Sequence, residues 1–293
     1  MRFTLLLAGS MLLAATPAFA QDAAVPSGDS VAPAASETAP PAAFTVSGSL
    51  TGVTDYRLRG VSQTDKHAAV QGTLTIAHES GFYIGAFGSN LAGWGTFGGA
   101  NLELDAIGGF KHAFGATTVD AGVTWYTYPG GFSESDVVEF FGKVSGTVGP
   151  AAITAGVLYA PTQTSLGRIY RNATEYANGV GTGSKRWDNL YLTADAAIGI
   201  PSTPITIKGH LGGSKGNPGL GPNGTSLSPT GEYMDWSVGA DLVAYKNLTL
   251  NVSYIDTDIS NSESAYLAPN FRSTKDGSSI AGSTVLFSLT AGF

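Results

Sequence analysis

The chain has no cysteine among its 293 residues. That excludes disulfide stapling, thiol nucleophiles, cysteine-ligated zinc and lipidation of an N-terminal cysteine. Charge is scarce as well. Asp, Glu, Lys and Arg make up 13% of the residues, against about 25% in ordinary soluble proteins. Beyond an N-terminal leader there is no apolar run approaching the roughly 20 residues that a membrane-crossing helix needs. Basic residues are outnumbered 15 to 22 and the net charge is −7. With no cationic stripe to displace counterions, nucleic acid is a poor partner.

Glycine and alternation are abundant. There are 40 glycines, and the 43% of apolar residues is spread out rather than clustered. The start reads as a secretory signal peptide over 1–20: Arg2, an apolar stretch from Phe3 to Ala15, and the A-x-A site Ala18-Phe19-Ala20 before Gln21. Residues 21–43 are Ala, Pro, Ser and acid, which cannot bury a core and predict a periplasmic linker.

From 44 to 293 the pattern has period two. Val285, Phe287, Leu289, Ala291 and Phe293 alternate with Thr284, Ser288, Thr290 and Gly292. Leu190 to Ile200, Val119 to Tyr126 and Leu248 to Tyr254 do the same. Successive strand side chains point to opposite faces, so each segment has one greasy and one polar face. Twelve strands are predicted, near 44–56, 68–78, 81–89, 101–114, 116–128, 136–148, 151–160, 187–200, 204–213, 233–245, 248–258 and 283–293. The faces of the third, around Phe82 to Ser89, stay open.

Tight connections alternate with long polar ones, and the even strand number puts both ends of the barrel on the short-turn side. That is the signature of a transmembrane antiparallel up-and-down β-barrel of the outer membrane, with periplasmic termini and long extracellular loops. The barrel must close, because an open edge in lipid leaves unpaired backbone groups at several kcal/mol each. Aromatics fall at strand ends, as interfacial girdles do: Phe44, Phe82, Phe114, Tyr245 and Phe293 by the turns, and Tyr56, Trp125, Tyr128, Tyr159, Trp187, Trp236 and Tyr254 by the loops.

Local stretches resemble the TorF-like porins, the family that carries the Gcw_chp domain. The most specific is Val53-Thr54-Asp55-Tyr56-Arg57-Leu58-Arg59-Gly60-Val61-Ser62-Gln63-Thr64. Gln71-Gly72, His78-Glu79-Ser80-Gly81-Phe82-Tyr83, Glu103-Leu104-Asp105 and Tyr126-Thr127-Tyr128-Pro129-Gly130 add to it. Leu58 stands where the pattern has an aromatic residue. The resemblance implies a porin and names no substrate.

If the apolar positions face lipid, the lumen receives Glu103, Asp105, Lys111, Asp120, Glu139, Lys143, Asp195, Lys208, His210 and Asp241. Two readings stand for them. They are structural, in cross-strand pairs such as Lys111 or Lys143 with Glu139, or they set the field of a pore that favours cations weakly. Arg57 and Arg59 in the first loop would offset that field. A twelve-stranded lumen is narrow, and narrower still if a loop folds inward. Either a passive channel for small polar solutes and ions or a plugged, surface-binding barrel follows.

Phe293 on the last strand resembles the signal read by the barrel-assembly machinery, and is equally a girdle aromatic. Gly48, Gly52, Gly88 and Gly142 fit barrel curvature or a contact between subunits, which leaves the oligomeric state open. No enzyme, cofactor or metal is implied. Of His67, His78, His112 and His210, only His67 falls by the loops, where barrel hydrolases keep their Ser/His or Asp/His groups. Gly179 to Lys185 lacks the Gly-Lys-Ser/Thr order of a phosphate loop. Asp256, Asp258 and Glu263 lack the glycine and the final acid of a calcium loop.

Overall fold

The computed structural model describes residues 43–132, 134–166, 170, 173–179, 187–221 and 224–293. The leader over 1–20, nearly all of the 21–43 linker, and the glycine-rich stretch after Gly179 lie outside the described residues.

The strands are β1 (Phe44–Val53), β2 (Arg57–Leu58), β3 (Val61–Ser62), β4 (Ala69–His78), β5 (Phe82–Asn90), β6 (Leu102–Phe114) and β7 (Thr117–Thr127). Then come β8 (Val137–Val148), β9 (Ala151–Gln163), β10 (Trp187–Gly199), β11 (Ile205–Gly216), β12 (Glu232–Tyr245), β13 (Leu248–Thr257) and β14 (Thr284–Gly292). All but β2 and β3 join one closed barrel in which each strand pairs with its neighbours along the chain. Closure comes from β1 pairing antiparallel with β14, from Ser49 opposite Gly292 to Val53 opposite Ser288. The twelve expected strands are all present, with ends shifted by at most three residues. The small antiparallel hairpin β2–β3 inside the first loop was not expected.

Alternation decides the faces. Val46 and Leu50 on β1, Phe140 and Val144 on β8, Leu190 and Leu192 on β10, and Val285, Phe287 and Leu289 on β14 are all exposed on the outside. Large exposed apolar residues recur on every barrel strand, a surface no soluble protein carries. Outward charges appear only at strand ends, as with Asp188, Lys215, Glu232 and Asp256 by the loops. The barrel therefore spans a membrane, in the architecture of outer-membrane barrels.

The tight turns need backbone that L side chains resist. Gly115 and Gly149 reverse the chain after β6 and β8 with φ of 64° and 60°. At the same end, Phe44, Phe82, Phe114, Tyr245 and Phe293 are exposed, as a girdle requires. At the loop end Trp125, Tyr159 and Tyr254 are exposed too. Tyr56 and Tyr128 are not girdle residues: both are buried, 2% and 4% exposed, under the folded-in loops. The open question on β5 is settled: Phe82 and Ile84 face out, while Tyr83, Phe87 and Ser89 face the lumen.

Candidate functional site

The lumen is the candidate site, and its loop-side half is packed. Inward side chains from around the wall are nearly inaccessible there: Gln71, Ser89, Glu103, Glu139, Asn189, Tyr191 and Asp235 are at most 3% exposed. Loops fill the space: the fifth brings Ser228 to Asn189 Oδ1 at 2.7 Å and Leu227 into one apolar cluster with Leu58, and the first enters as a hairpin. Arg57 donates from Nε to Asp55 Oδ2 at 2.8 Å and from one terminal nitrogen to the Gly60 carbonyl at 2.9 Å, and that nitrogen also reaches the Gly282 carbonyl of the last loop at 2.8 Å. Ser62 and Thr64 donate to the other oxygen of Asp55 at 2.5 and 3.2 Å. These bonds keep the hairpin folded on itself.

A second set of bonds fixes it across the barrel. Arg59 reaches β8, where one terminal nitrogen donates to both Glu139 oxygens, at 2.7 and 2.8 Å. Tyr126 adds a hydroxyl to Glu139 at 3.0 Å. The same guanidinium lies 4.2 Å above the Tyr191 ring on β10, and the Arg59 carbonyl accepts from Tyr233 on β12 at 3.1 Å. Gly60, with φ of 78°, presses on Thr257 and Asp235 so closely that a Cβ there would collide with the Thr257 methyl. The other loops cover the hairpin from above. Ser62 N donates to the Ile280 carbonyl at 3.0 Å, and Trp94 meets Phe271 edge-on at 4.9 Å.

Beneath Tyr191 lies a second polar cluster. His210 bonds Asp195 through Nδ1 at 2.7 Å and Asp235 through Nε2 at 3.1 Å, and Tyr191 donates to both Asp235 oxygens at 3.2 and 3.1 Å. Asp195 keeps 41% of its side chain exposed, so the chain of bonds runs from the wetted lumen to the aromatic seat of Arg59. Toward the turns, Lys208 pairs with Asp241 at 2.6 Å, both buried, and Asn251 donates to the other Asp241 oxygen at 2.6 Å. Lys111 and Lys143 flank Asp120 in register on β6, β7 and β8, and all three stay partly exposed. Tyr83 also donates to Asp120, at 2.8 Å.

On their strands the ten charged residues expected in the lumen are buried or half-buried, opposite in parity to the exposed apolar ones, and the partners they find differ from those expected. Glu139 pairs with Arg59 of the first loop, not with Lys111 or Lys143, because both lysines sit toward the turns beside Asp120. The calcium-loop look-alike is used locally: Asp258 accepts from Met234 N, Asp256 from Tyr254, and Glu263 from Ser260. Short hydrogen bonds from Ser260 hold the Glu263 carboxyl below its usual range.

Residues 37–293 match the family described as "Bacterial protein of unknown function (Gcw_chp)". The chain belongs to that family. The Gcw_chp match takes in the whole barrel and the end of the linker. No curated protein matches the sequence. Among solved structures, a KdgM porin is 7% identical and is covered over 84% of this chain and 98% of its own, with a TM-score of 0.48. Salmonella typhi OmpF in complex with daunomycin is 8% identical over 85% and 97%, with a TM-score of 0.43. An outer membrane channel of Pseudomonas putida F1 is 10% identical over 87% and 96%, with a TM-score of 0.42.

Two members of the Gcw_chp lumen escaped the sequence reading. Asp235 shares the parity of Asp241 on β12, opposite to outward Met234 and Val238, so alternation alone would have placed it inside. Tyr191 sits among apolar neighbours on β10, and nothing in its surroundings marks it as the ring under Arg59.

Proposed function

We propose that this chain is an outer-membrane channel for small polar solutes or ions, closed as described here and opened by movement of the first-loop hairpin. One observation carries the reading. The loop-side lumen is sealed by inward-folded loops, with the segment 57–62 tethered across the barrel, and not by the barrel wall alone. The segment is held by one buried ion pair, a few hydrogen bonds and the packing of Leu58 and Val61 into two apolar clusters, none of which is part of the barrel's backbone ladder, so it can leave without unfolding the barrel. The lumen it would uncover carries polar side chains from most of the wall, among them Gln71, Glu103, Thr124, Glu139 and Asn189, as water and hydrophilic solutes require.

In this reading residues 1–20 are a cleaved signal peptide and 21–43 a periplasmic linker. The tight turns and both termini face the periplasm, the long loops face outward, and Phe293 is read by the barrel-assembly machinery. With the hairpin displaced, Glu103, Asp105, Asp195 and Asp235 outweigh the lysines near them, so the open state passes cations better than anions.

The test is planar-bilayer conductance under a salt gradient, for the intact chain and for a variant with 57–62 replaced by a short glycine linker. Rare or no steps from the first and frequent cation-selective steps from the second support the channel. The dry loop-side lumen also favours a second reading, a plugged barrel that binds at the surface. Silence from both proteins, each shown to be inserted, decides for it.

A further inference from the structure

Glu103 and Asp105 stand two residues apart on β6, so both face the lumen, and they are 2% and 1% exposed. Their oxygens are poorly matched. Glu103 Oε1 and both Asp105 oxygens are buried without a hydrogen bond of normal geometry, and the Thr127 backbone N–H is the donor that faces Asp105. Neither carboxylate belongs to an ion pair among the described residues. Among the described residues, the buried arginines and lysine of the lumen are committed elsewhere: Arg59 to Glu139, Arg57 to Asp55 and Lys208 to Asp241. Lys111 and Lys143 lie toward the turns with Asp120.

Two buried, adjacent, unpaired carboxylates are a costly arrangement unless a positive charge joins them. The surroundings suit a hard cation. The hydroxyls of Tyr56, after β1, and Tyr128, after β7, face the Glu103 carboxyl. Gln71 stands in the same inward row, in register with Ser89, which is in register with Glu103. It is 3% exposed, and its carboxamide nitrogen is unpartnered too. Ser89 is small enough for the carboxamide to lean across it, and turning the amide presents its oxygen. There is no thiol or imidazole among these groups, so soft metals are disfavoured.

We infer that Glu103 and Asp105, with the oxygens of Tyr56, Tyr128 and Gln71, form a site for one divalent, oxygen-seeking cation of the Ca2+ type. Two carboxylates neutralise a divalent ion. No third carboxylate or histidine joins them among the described residues, so the remaining ligands are neutral oxygens, as Ca2+ accepts. The ion would fasten the first and third loops to the wall of β6, whether or not the lumen conducts.

Terbium is the probe, since Tb3+ replaces Ca2+ and is excited by adjacent tyrosines. The full chain, refolded in detergent without lipopolysaccharide, is titrated with Tb3+ and then with Ca2+. Expected is tyrosine-sensitised emission that saturates at one ion per chain and is displaced by Ca2+. The isosteric double variant Glu103→Gln/Asp105→Asn should lose it, with Ca2+ affinity lowered roughly tenfold or more. Tyr128→Phe is the second probe: it should dim the emission while calorimetry still finds the Ca2+ site. Emission unchanged in the folded double variant overturns the inference. So does calorimetry that finds no Ca2+ uptake by the intact chain, in which case the carboxyls hold protons. If the double variant does not fold, the Ca2+ calorimetry and the Tyr128→Phe emission decide alone.

Discussion

Replacing Arg59 by alanine removes the guanidinium that ties the first-loop hairpin to β8. The ion pair it makes is 2% and 1% exposed on its two sides, with contacts of 2.7 and 2.8 Å. Breaking one partner of such a pair strands the other charge in a low-dielectric site, at about 3–5 kcal/mol. Glu139 keeps the Tyr126 hydroxyl, which places the cost at the lower end. If the loss falls on the hairpin's closed state, the closed-to-open ratio drops roughly a hundredfold to several-thousandfold. A barrel that is nearly silent as the intact chain would then show frequent openings in a planar bilayer. Arg59→Lys keeps the charge but not the planar group over the Tyr191 ring and should fall between. Arg59→Ala/Glu139→Gln should cost less than the two single changes combined, since no charge is left stranded. Unchanged conductance and unchanged urea unfolding for Arg59→Ala would refute the argument, because the pair would then be neither a latch nor a stabiliser.

Three further outcomes follow from the geometry. Gly60→Ala should open the channel as well, at a cost of about 1–3 kcal/mol, since its φ of 78° and the Thr257 methyl both resist a Cβ; bilayer recordings and urea unfolding check it. On β8, Val144→Arg should lower stability in liposomes by about 2–4 kcal/mol while Ser145→Arg is tolerated, since Val144 faces lipid and Ser145 the lumen, where it bonds Thr154. Burial, reinforced by the Glu103 carboxylate, holds the Tyr56 and Tyr128 phenols well above 10.0. A raised pKa stabilises the fold below the unfolded value and ceases to do so as pH rises through the folded one. Without divalent cations, an alkaline absorbance titration should therefore show a late class of tyrosines, and Tyr56→Phe/Tyr128→Phe should shrink it.

The barrel was legible because lipid and lumen impose opposite polarity on alternate residues, and that alternation survives in the sequence of almost every strand. It blurred on β5, where Tyr83 and Phe87 fill the lumen against the hairpin and so look like lipid-facing residues. The plug was not legible at all beyond the possibility of an inward loop. Arg59 meets Glu139 80 residues away and the Tyr191 ring still farther along the chain, and no local pattern encodes such meetings. The same cause misplaced Tyr56 and Tyr128. Both stand at strand ends like girdle residues, yet the loops that follow them turn inward and take them along.

The seam between the first and last strands is short. β1 meets β4 over ten residue pairs but meets β14 over five, extended at one end by mutual backbone bonds of Phe293 with Gly48 at 3.0 and 3.1 Å and at the other by Thr54 N to the Phe287 carbonyl at 3.0 Å. Residues 44–47 are therefore held from one side only. Every other junction joins strands that a turn or loop already keeps close, whereas this one joins the two ends of the meander and pays the full entropy of ring closure. A crosslink between β1 and β14 would remove that closure entropy and make the line an ordinary part of the cylinder.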